Sequence, residues 1–265
     1  MTDAEFAELM ALQSRTDWFE ALIASIYARV LEPGDVAVDG GAHDGLHTYR
    51  MADVVGASGR VHAFEVLPPK LAAMRERIAQ IPQITLHPRA LSDRIGTATF
   101  QWVRDAPGLS GLQPRDYEGR THQIDVIEVE TVTIDSLPPE DFEGWRFMKL
   151  DLEGGEYRAI RGARERIAEQ RPLIVFENAR ESSAGFYGYA MEDWFGLFDG
   201  LGYATFDLWG RAFTRADWIA DKMTPYYYIA TPRGSEDEAF VETVVPELML
   251  AEVESAQALA SQPAA

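Results

Sequence analysis

Apolar side chains recur at helical spacing through residues 5–30, where Phe6, Leu9, Leu12, Trp18, Leu22, Ile23, Ile26 and Tyr27 predict two helices packed on a sheet. From residue 35 the period changes. Short apolar runs stand at 36–39, 60–66, 84–87, 146–151 and 173–178, several of them followed by helical stretches such as 48–55, 70–80 and 156–170. Apolar runs alternating with helices are expected of parallel strands buried on both faces. The rhythm stops at 97–103 and 124–134, two strand patterns separated by a Gly-, Pro- and Ser-containing loop over 105–122, and this predicts an inserted antiparallel extension. A helix at 194–201 and strands at 203–209 and 226–231 complete a Rossmann-like α/β sheet of seven strands with helices on both faces. Phe240, Val244, Val245 and Leu248 to Leu250 predict a docked helix in an acidic, alanine-rich tail, with 261–265 expected to be disordered. The expected layout is a helical segment over 1–34, a central domain over 35–232 with a β insertion at 92–145, and a tail over 233–265.

A chain of 265 residues, 46% hydrophobic and 25% charged, has the size and composition of a soluble protein with one large core. No apolar run approaches a membrane span and no signal peptide opens the chain, so a cytoplasmic setting without membrane insertion is expected. Cysteine is absent, which excludes disulfides, thiolate catalysis and cysteine-ligated metal. A net charge of -19 repels phosphate backbones, so nucleic acid is not an expected partner, and it mildly favours a cationic ligand. The pattern leaves the oligomeric state open.

Candidate chemistry gathers at Asp39-Gly40-Gly41-Ala42-His43-Asp44-Gly45, where a strand breaks into a turn ahead of a helix. Gly40, Gly41 and Gly45 permit backbone angles that other residues resist and would let a ligand lie against the backbone. The helix start would point free N–H groups at it, so the stretch predicts a nucleotide or cofactor cradle. Ala42 breaks the dinucleotide fingerprint G-x-G-x-x-G. What remains, D-x-G-x-x-x-G from Asp39 to Gly45, resembles motif I of S-adenosylmethionine-dependent methyltransferases, in which the acid lies near the methionine end of the cofactor. His43-Asp44-Gly45-Leu46-His47 also has the form H-D-x-x-H and keeps a zinc hydrolase open as an alternative. Gly45 weakens the helix that reading needs, and without it His43 caps the loop while His47 lies on an ordinary helix face.

Acids tip the later strands. Glu65 is placed to accept the ribose hydroxyls of an adenosine, beside Val66, and Leu91 and Ser92 would neighbour the adenine. Asp151, Glu153 and Glu156 crowd the end of the 146–151 strand, where like charges raise one another's pKa unless a cation intervenes. Lys149, one of three lysines, can supply that charge. Glu156 is expected to charge the start of the following helix, and Glu177 tips the next strand.

Six blocks then occur in order: V-D-G-G-A-H-D-G at 38–45, V-H-A-F-E-V at 61–66, A-L-S-D at 90–93, T-I-D-S-L at 133–137, F-M-K-L-D-L-E-G-G-E at 147–156 followed by R-G-A at 161–163, and I-V-F-E at 174–177. Together they resemble the FkbM-type methyltransferases over roughly residues 35–180. The family more usually has Asn at the position of His43 and an aromatic residue near His47.

The resemblance implies a class I methyltransferase sheet, S-adenosylmethionine as cofactor, and O-methylation of a small-molecule or glycan acceptor such as a sugar, glycolipid or natural product. Asp39, Gly40, Gly41, Ala42, His43, Gly45, Glu65, Val66, Leu91 and Ser92 are the expected cofactor contacts. Asp151, with Glu177 second, is the expected base, and a divalent metal such as Mg²⁺ held by both is the other way to acidify a hydroxyl. The 105–122 loop is expected to set acceptor choice. A non-catalytic nucleotide-binding module on the same fold is a further alternative.

Overall fold

The structure, a computed structural model, describes residues 3–115, 117, 119–220 and 226–261. Among the described residues ten strands form: β1 (Val36–Gly40), β2 (Arg60–Phe64), β3 (Ile84–His87), β4 (Ala90–Leu91), β5 (Gly96–Val103), β6 (Ile124–Val132), β7 (Trp145–Leu150), β8 (Leu173–Glu177), β9 (Tyr203–Asp207) and β10 (Tyr227–Pro232). Seven of them build the main sheet in the order β3-β2-β1-β7-β8-β10-β9. Its pairs are parallel as far as β8, and β10 runs antiparallel to both β8 and β9. This is the seven-stranded α/β sheet that the alternation of strands and helices predicts, in the class I arrangement that the family resemblance implies.

Alternate strand residues supply two cores, because successive side chains point to opposite faces. Ala37, Val61, Phe147, Val175 and Ile229 pack under the helices Trp18–Val30 and Leu46–Val55. Val38, Phe64, Met148, Ile174 and Tyr228 pack on the other side under Met191–Leu201 and its neighbours. Among the described residues no helix is long and apolar enough to cross a membrane.

The register sets the site. Gly40 pairs with Phe64 on one side and Leu150 on the other, and Leu150 pairs with Phe176. The residues that follow, Gly41, Glu65, Asp151 and Glu177, therefore stand in one row at the end of the sheet, and Tyr227 lies opposite Glu177 on β10. Above this row lies a second sheet in the order β4-β6-β5. The expected antiparallel hairpin is β5 with β6, and β4 adds to β6 in parallel where the chain leaves β3.

Several elements differ from the sequence pattern. The single helix expected over 156–170 is two, Glu156–Arg161 and Arg164–Gln170. The break falls at Gly162, whose carbonyl accepts from Asp135 N at 3.0 Å and whose missing Cβ leaves room for the Ser92 carbonyl. The strand expected over 203–209 stops at Asp207, whose carboxylate accepts from Trp209 N and Arg211 N and tightens the turn. The tail holds two helices, Glu236–Thr243 and Val245–Ala260. The second lies on the N-terminal helices, where Ser25 Oγ donates to Glu252 at 2.6 Å and Arg15 to the Ala260 carbonyl at 2.8 Å. Residues 262–265 lie outside the described residues.

Candidate active site

A cavity of about 520 Å³ opens at the C-terminal ends of β1, β2 and β7, where open α/β sheets bind their ligands. Gly41, Ala42, His43, Glu65, Val66, Leu91 and Asp151 line it. Phe100, Pro107, Gly108, Ser110 and Leu112, from the second sheet and its loop, form the facing wall.

The cradle is built differently from its glycine pattern. Gly41 has φ +79, and a Cβ there would overlap the Asp151 carbonyl oxygen, so the glycine serves the crossing of two strand ends. Gly40 leaves its space to Leu150 and Leu91, and Gly45, at φ +78, to the ring of Tyr49. Asp39 is buried below the wall and accepts from Thr48 Oγ1, with its Oδ1 unpartnered. Ser92 is buried, and its N–H donates to the Val132 carbonyl. Asp39, Gly40, Gly45 and Ser92 thus shape the cavity from behind its lining. Ligand-facing glycine and internal-contact glycine look alike in a sequence.

Glu65 ties the turns together. Its Oε2 accepts from His43 N at 2.8 Å, and its Oε1 from Val66 N at 2.6 Å and Leu67 N at 2.7 Å. A carboxylate offers about four lone-pair sites, so one is left for a ligand.

The H-D-x-x-H pair does not form a helical ligand pair. The helix begins at Leu46, leaving His43 in the preceding turn at φ +49 with Nδ1 3.0 Å from Asp44. His47 is not on a solvent face either, being 3% exposed. Its Nε2 is bonded to Glu20, and its Nδ1 is 3.4 Å from the Tyr27 hydroxyl.

The far end of the cavity holds the charges. Lys149 Nζ lies 3.4 Å from Asp151 Oδ2, which also accepts from the Tyr227 hydroxyl at 2.8 Å. Burial pushes the Asp151 carboxyl up, but the Lys149 charge and the bonds from Tyr227 and Glu177 outweigh it and hold it below the usual range. Burial, reinforced by the Asp151 charge, holds Glu177 well above its usual value, which favours the protonated form that can donate to Asp151. Burial and Asp151 push Glu153 up to about 7, although Arg115 reaches it at 2.6 Å from the 105–122 loop. Glu156 is fully buried and pushed up to about 8 by that burial, while its Oε1 accepts from Leu152 N at 2.6 Å. It is therefore mostly neutral near pH 7 and does not charge its helix as the sequence suggests.

Asp151, Glu153 and Glu177 bring carboxylate oxygens within 4.8 Å of one another, a donor set that in kind would suit a hard cation. Two of the three already have cations, Lys149 on Asp151 and Arg115 on Glu153, and burial favours the protonated form of Glu177. The residues present thus fit their own counter-charges better than a divalent ion.

Two residues of this end are not foreseen from the sequence. Glu20 lines the cavity from the N-terminal helix, and Tyr227 reaches Asp151 from β10. The one trace of Glu20 in the sequence is an acid inside the apolar stripe of Trp18, Phe19, Leu22 and Ile23.

No curated protein sequence matches the chain. Among solved structures it is similar to the methyltransferase FkbM of Methylobacillus flagellatus, at 16% identity and a TM-score of 0.45 over 78% of this chain and 50% of that one. The chain thus spans about half the length of that protein. It is also similar to a SAM-dependent O-methyltransferase of Thermotoga maritima, at 16% identity and TM-score 0.41, covering 82% and 66% of the two chains. Fibrillarin of Aeropyrum pernix, natively bound to S-adenosyl-L-methionine, is similar at 12% identity and TM-score 0.40, covering 81% and 76%. The family model described as the methyltransferase FkbM domain matches residues 39–204, from the buried acid of β1 into β9. That match covers more than half of the chain and the strand ends that carry Gly41, Glu65, Asp151 and Glu177, so this protein belongs to the FkbM family of S-adenosylmethionine-dependent methyltransferases.

Proposed function

We propose that this protein transfers the methyl group of S-adenosylmethionine to a hydroxyl oxygen of a small-molecule or glycan acceptor, with Asp151 as the base. The observation that carries the reading is the position of Asp151, a carboxylate held ionised on the wall of the cavity that Glu65 enters from the other side. The cavity volume and the apolar side chains of Phe64, Val66 and Leu91 suit an adenosyl group, with one lone pair of Glu65 left for a ribose hydroxyl.

S-adenosylmethionine supplies a methyl carbon made electrophilic by a sulfonium. Asp151 orients the acceptor hydroxyl in line with that carbon and takes its proton. The proton becomes strongly acidic as the C–O bond forms, so a carboxylate of low pKa is a sufficient base. Lys149 and Tyr227 keep Asp151 ionised, and Glu177 fixes its second side. No metal is required for this step. The wall formed by Pro107, Gly108, Ser110 and Leu112 is where acceptor shape is sensed.

The test is transfer of a labelled methyl from S-adenosylmethionine to a panel of sugars, glycolipids and hydroxylated natural products, alongside calorimetry with the cofactor. Glu65→Ala removes the ribose contact and should weaken cofactor binding by about tenfold or more. Cofactor binding without transfer to any hydroxyl would make the chain a non-catalytic nucleotide-binding module.

A further inference from the structure

Glu20 lies on the helix Trp18–Val30, ahead of the region matched by the family model, yet its side chain reaches the cavity wall beside Lys149 and Asp151. His47 holds one of its oxygens, and the other lies 3.5 Å from the Tyr227 hydroxyl, whose hydrogen goes to Asp151. Glu20 therefore stands two hydrogen-bond lengths from the base. Burial would push its carboxyl up, but the His47 bond and the charge of Lys149 outweigh it, so Glu20 is ionised.

The charges at this end do not balance. Lys149 faces three acids, Asp151, Asp39 and Glu20, and the guanidinium that reaches this end from the inserted loop, Arg115, is taken by Glu153. If Asp151 receives the acceptor's proton, the transferred methyl and the sulfonium that carries it lie close to this excess of negative charge.

We propose that Glu20 is a specificity residue that makes the site prefer the cationic S-adenosylmethionine to its neutral product, S-adenosylhomocysteine. The inference rests on the methyltransferase reading. In transfer the S–CH₃ bond breaks and its electron pair stays on sulfur, which becomes a neutral thioether. A new O–CH₃ bond forms, and the hydroxyl proton passes to Asp151. The pocket loses one positive charge on sulfur and one negative charge on Asp151, so its net charge is unchanged at that moment. When Asp151 then releases the proton to solvent, Glu20 and Asp151 again face a pocket that lacks the sulfonium. A neutral ligand does not compensate them, and a fresh cationic cofactor does. Because these groups are largely buried, the attraction is screened far less than at a surface.

Calorimetry on the full chain with three probes tests this: S-adenosylmethionine, S-adenosylhomocysteine, and sinefungin, in which a protonated amine replaces the methyl sulfonium. The wild type should bind both cations at least about fivefold more tightly than the homocysteine compound, as expected for a charge-assisted contact. Glu20→Gln should bring the three affinities to within about twofold by weakening the two cations alone. Unchanged binding of S-adenosylhomocysteine in that variant shows that the pocket is still formed. A wild type that binds S-adenosylhomocysteine as tightly as S-adenosylmethionine overturns the proposal, and so does a Glu20→Gln variant with an unaltered ratio. If the variant loses all three ligands, the wild-type ratio decides alone. A wild type that binds none of them refutes the methyltransferase reading itself.

Discussion

Tyr227 gives its hydroxyl hydrogen to Asp151 Oδ2 at 2.8 Å, although the two stand at the ends of strands β10 and β7, which are separated by β8. The bond crosses the antiparallel strand pair, where Tyr227 lies opposite Glu177, and it is possible because β10 reverses direction and starts at the rim where β7 ends. Asp151 is thus held by its own strand through Lys149, by β8 through Glu177, and by β10 through Tyr227.

Tyr227→Phe removes one of the interactions that lower the Asp151 pKa. A base works only when deprotonated, so activity is lost as pH falls through that pKa. The variant's acid limb should therefore move to higher pH, by up to about one unit for a single hydrogen bond. The pH profile of kcat/KM measures this, and an unmoved limb would show that Tyr227 is only a packing residue.

Asp151→Asn keeps the side-chain shape and removes the charge. Transfer should slow by roughly two to four powers of ten, while cofactor affinity changes much less. EDTA should leave the wild-type rate unaltered, since Lys149 and Arg115 already neutralise the carboxylates. Chelation that abolishes activity, with recovery on adding Mg²⁺, would instead make Asp151 and Glu177 metal ligands.

Gly41→Ala places a methyl group on the Asp151 carbonyl in a backbone conformation, φ +79, that a side chain resists. Both effects act against folding, and together they should cost about 2 kcal/mol or more. Chemical denaturation measures the loss. Full stability in the variant would mean that the strand ends separate easily and that the glycine is there for a ligand after all.

Glu156→Gln tests the buried acid. The folded-state pKa of Glu156 is raised to about 8 from an ordinary 4.5, so the native protein binds the proton more tightly than the unfolded chain does. Between these values each pH unit gained should cost about 1.4 kcal/mol of stability from this group, the loss ending above its folded pKa. Glutamine can still accept from Leu152 N without ionising. Urea unfolding at pH 6 and pH 8 should show a shallower decline in the variant than in the wild type, and parallel declines would remove Glu156 as the cause.

Burial and period could be read from the chain itself. The parallel strands are apolar on both faces and so announce themselves, and the turn after Asp39, the acid at Glu65 and the acids around Asp151 mark the ends on which the cavity opens. The helix over 156–170 was legible as a helical stretch, but its interruption at Gly162 was not, because the break answers Asp135 and Ser92, residues distant in sequence. For the same reason the glycines gave away a tight crossing without saying what crosses: Gly41 makes room for the Asp151 carbonyl, and only the register of β1 with β7 brings the two together.

The charge states at the site could not be read from the chain at all. Neighbouring acids in sequence suggested mutual repulsion, yet Asp151 is held ionised while Glu153, Glu156 and Glu177 are pushed up, and what separates them is burial and the cations that reach them. What reaches them comes from everywhere in the chain: Lys149 from the same strand, Arg115 from the inserted loop and the Tyr227 hydroxyl from the antiparallel strand β10, while Glu20, from a helix near the N-terminus, adds a further acid to the wall. Hydrophobic period is a local property that each segment carries alone, whereas a pKa and a cavity wall are sums over whatever the fold brings within a few ångströms. Sequence therefore decided which strand ends face the cavity, and tertiary structure alone decided which of their acids is charged and what stands opposite.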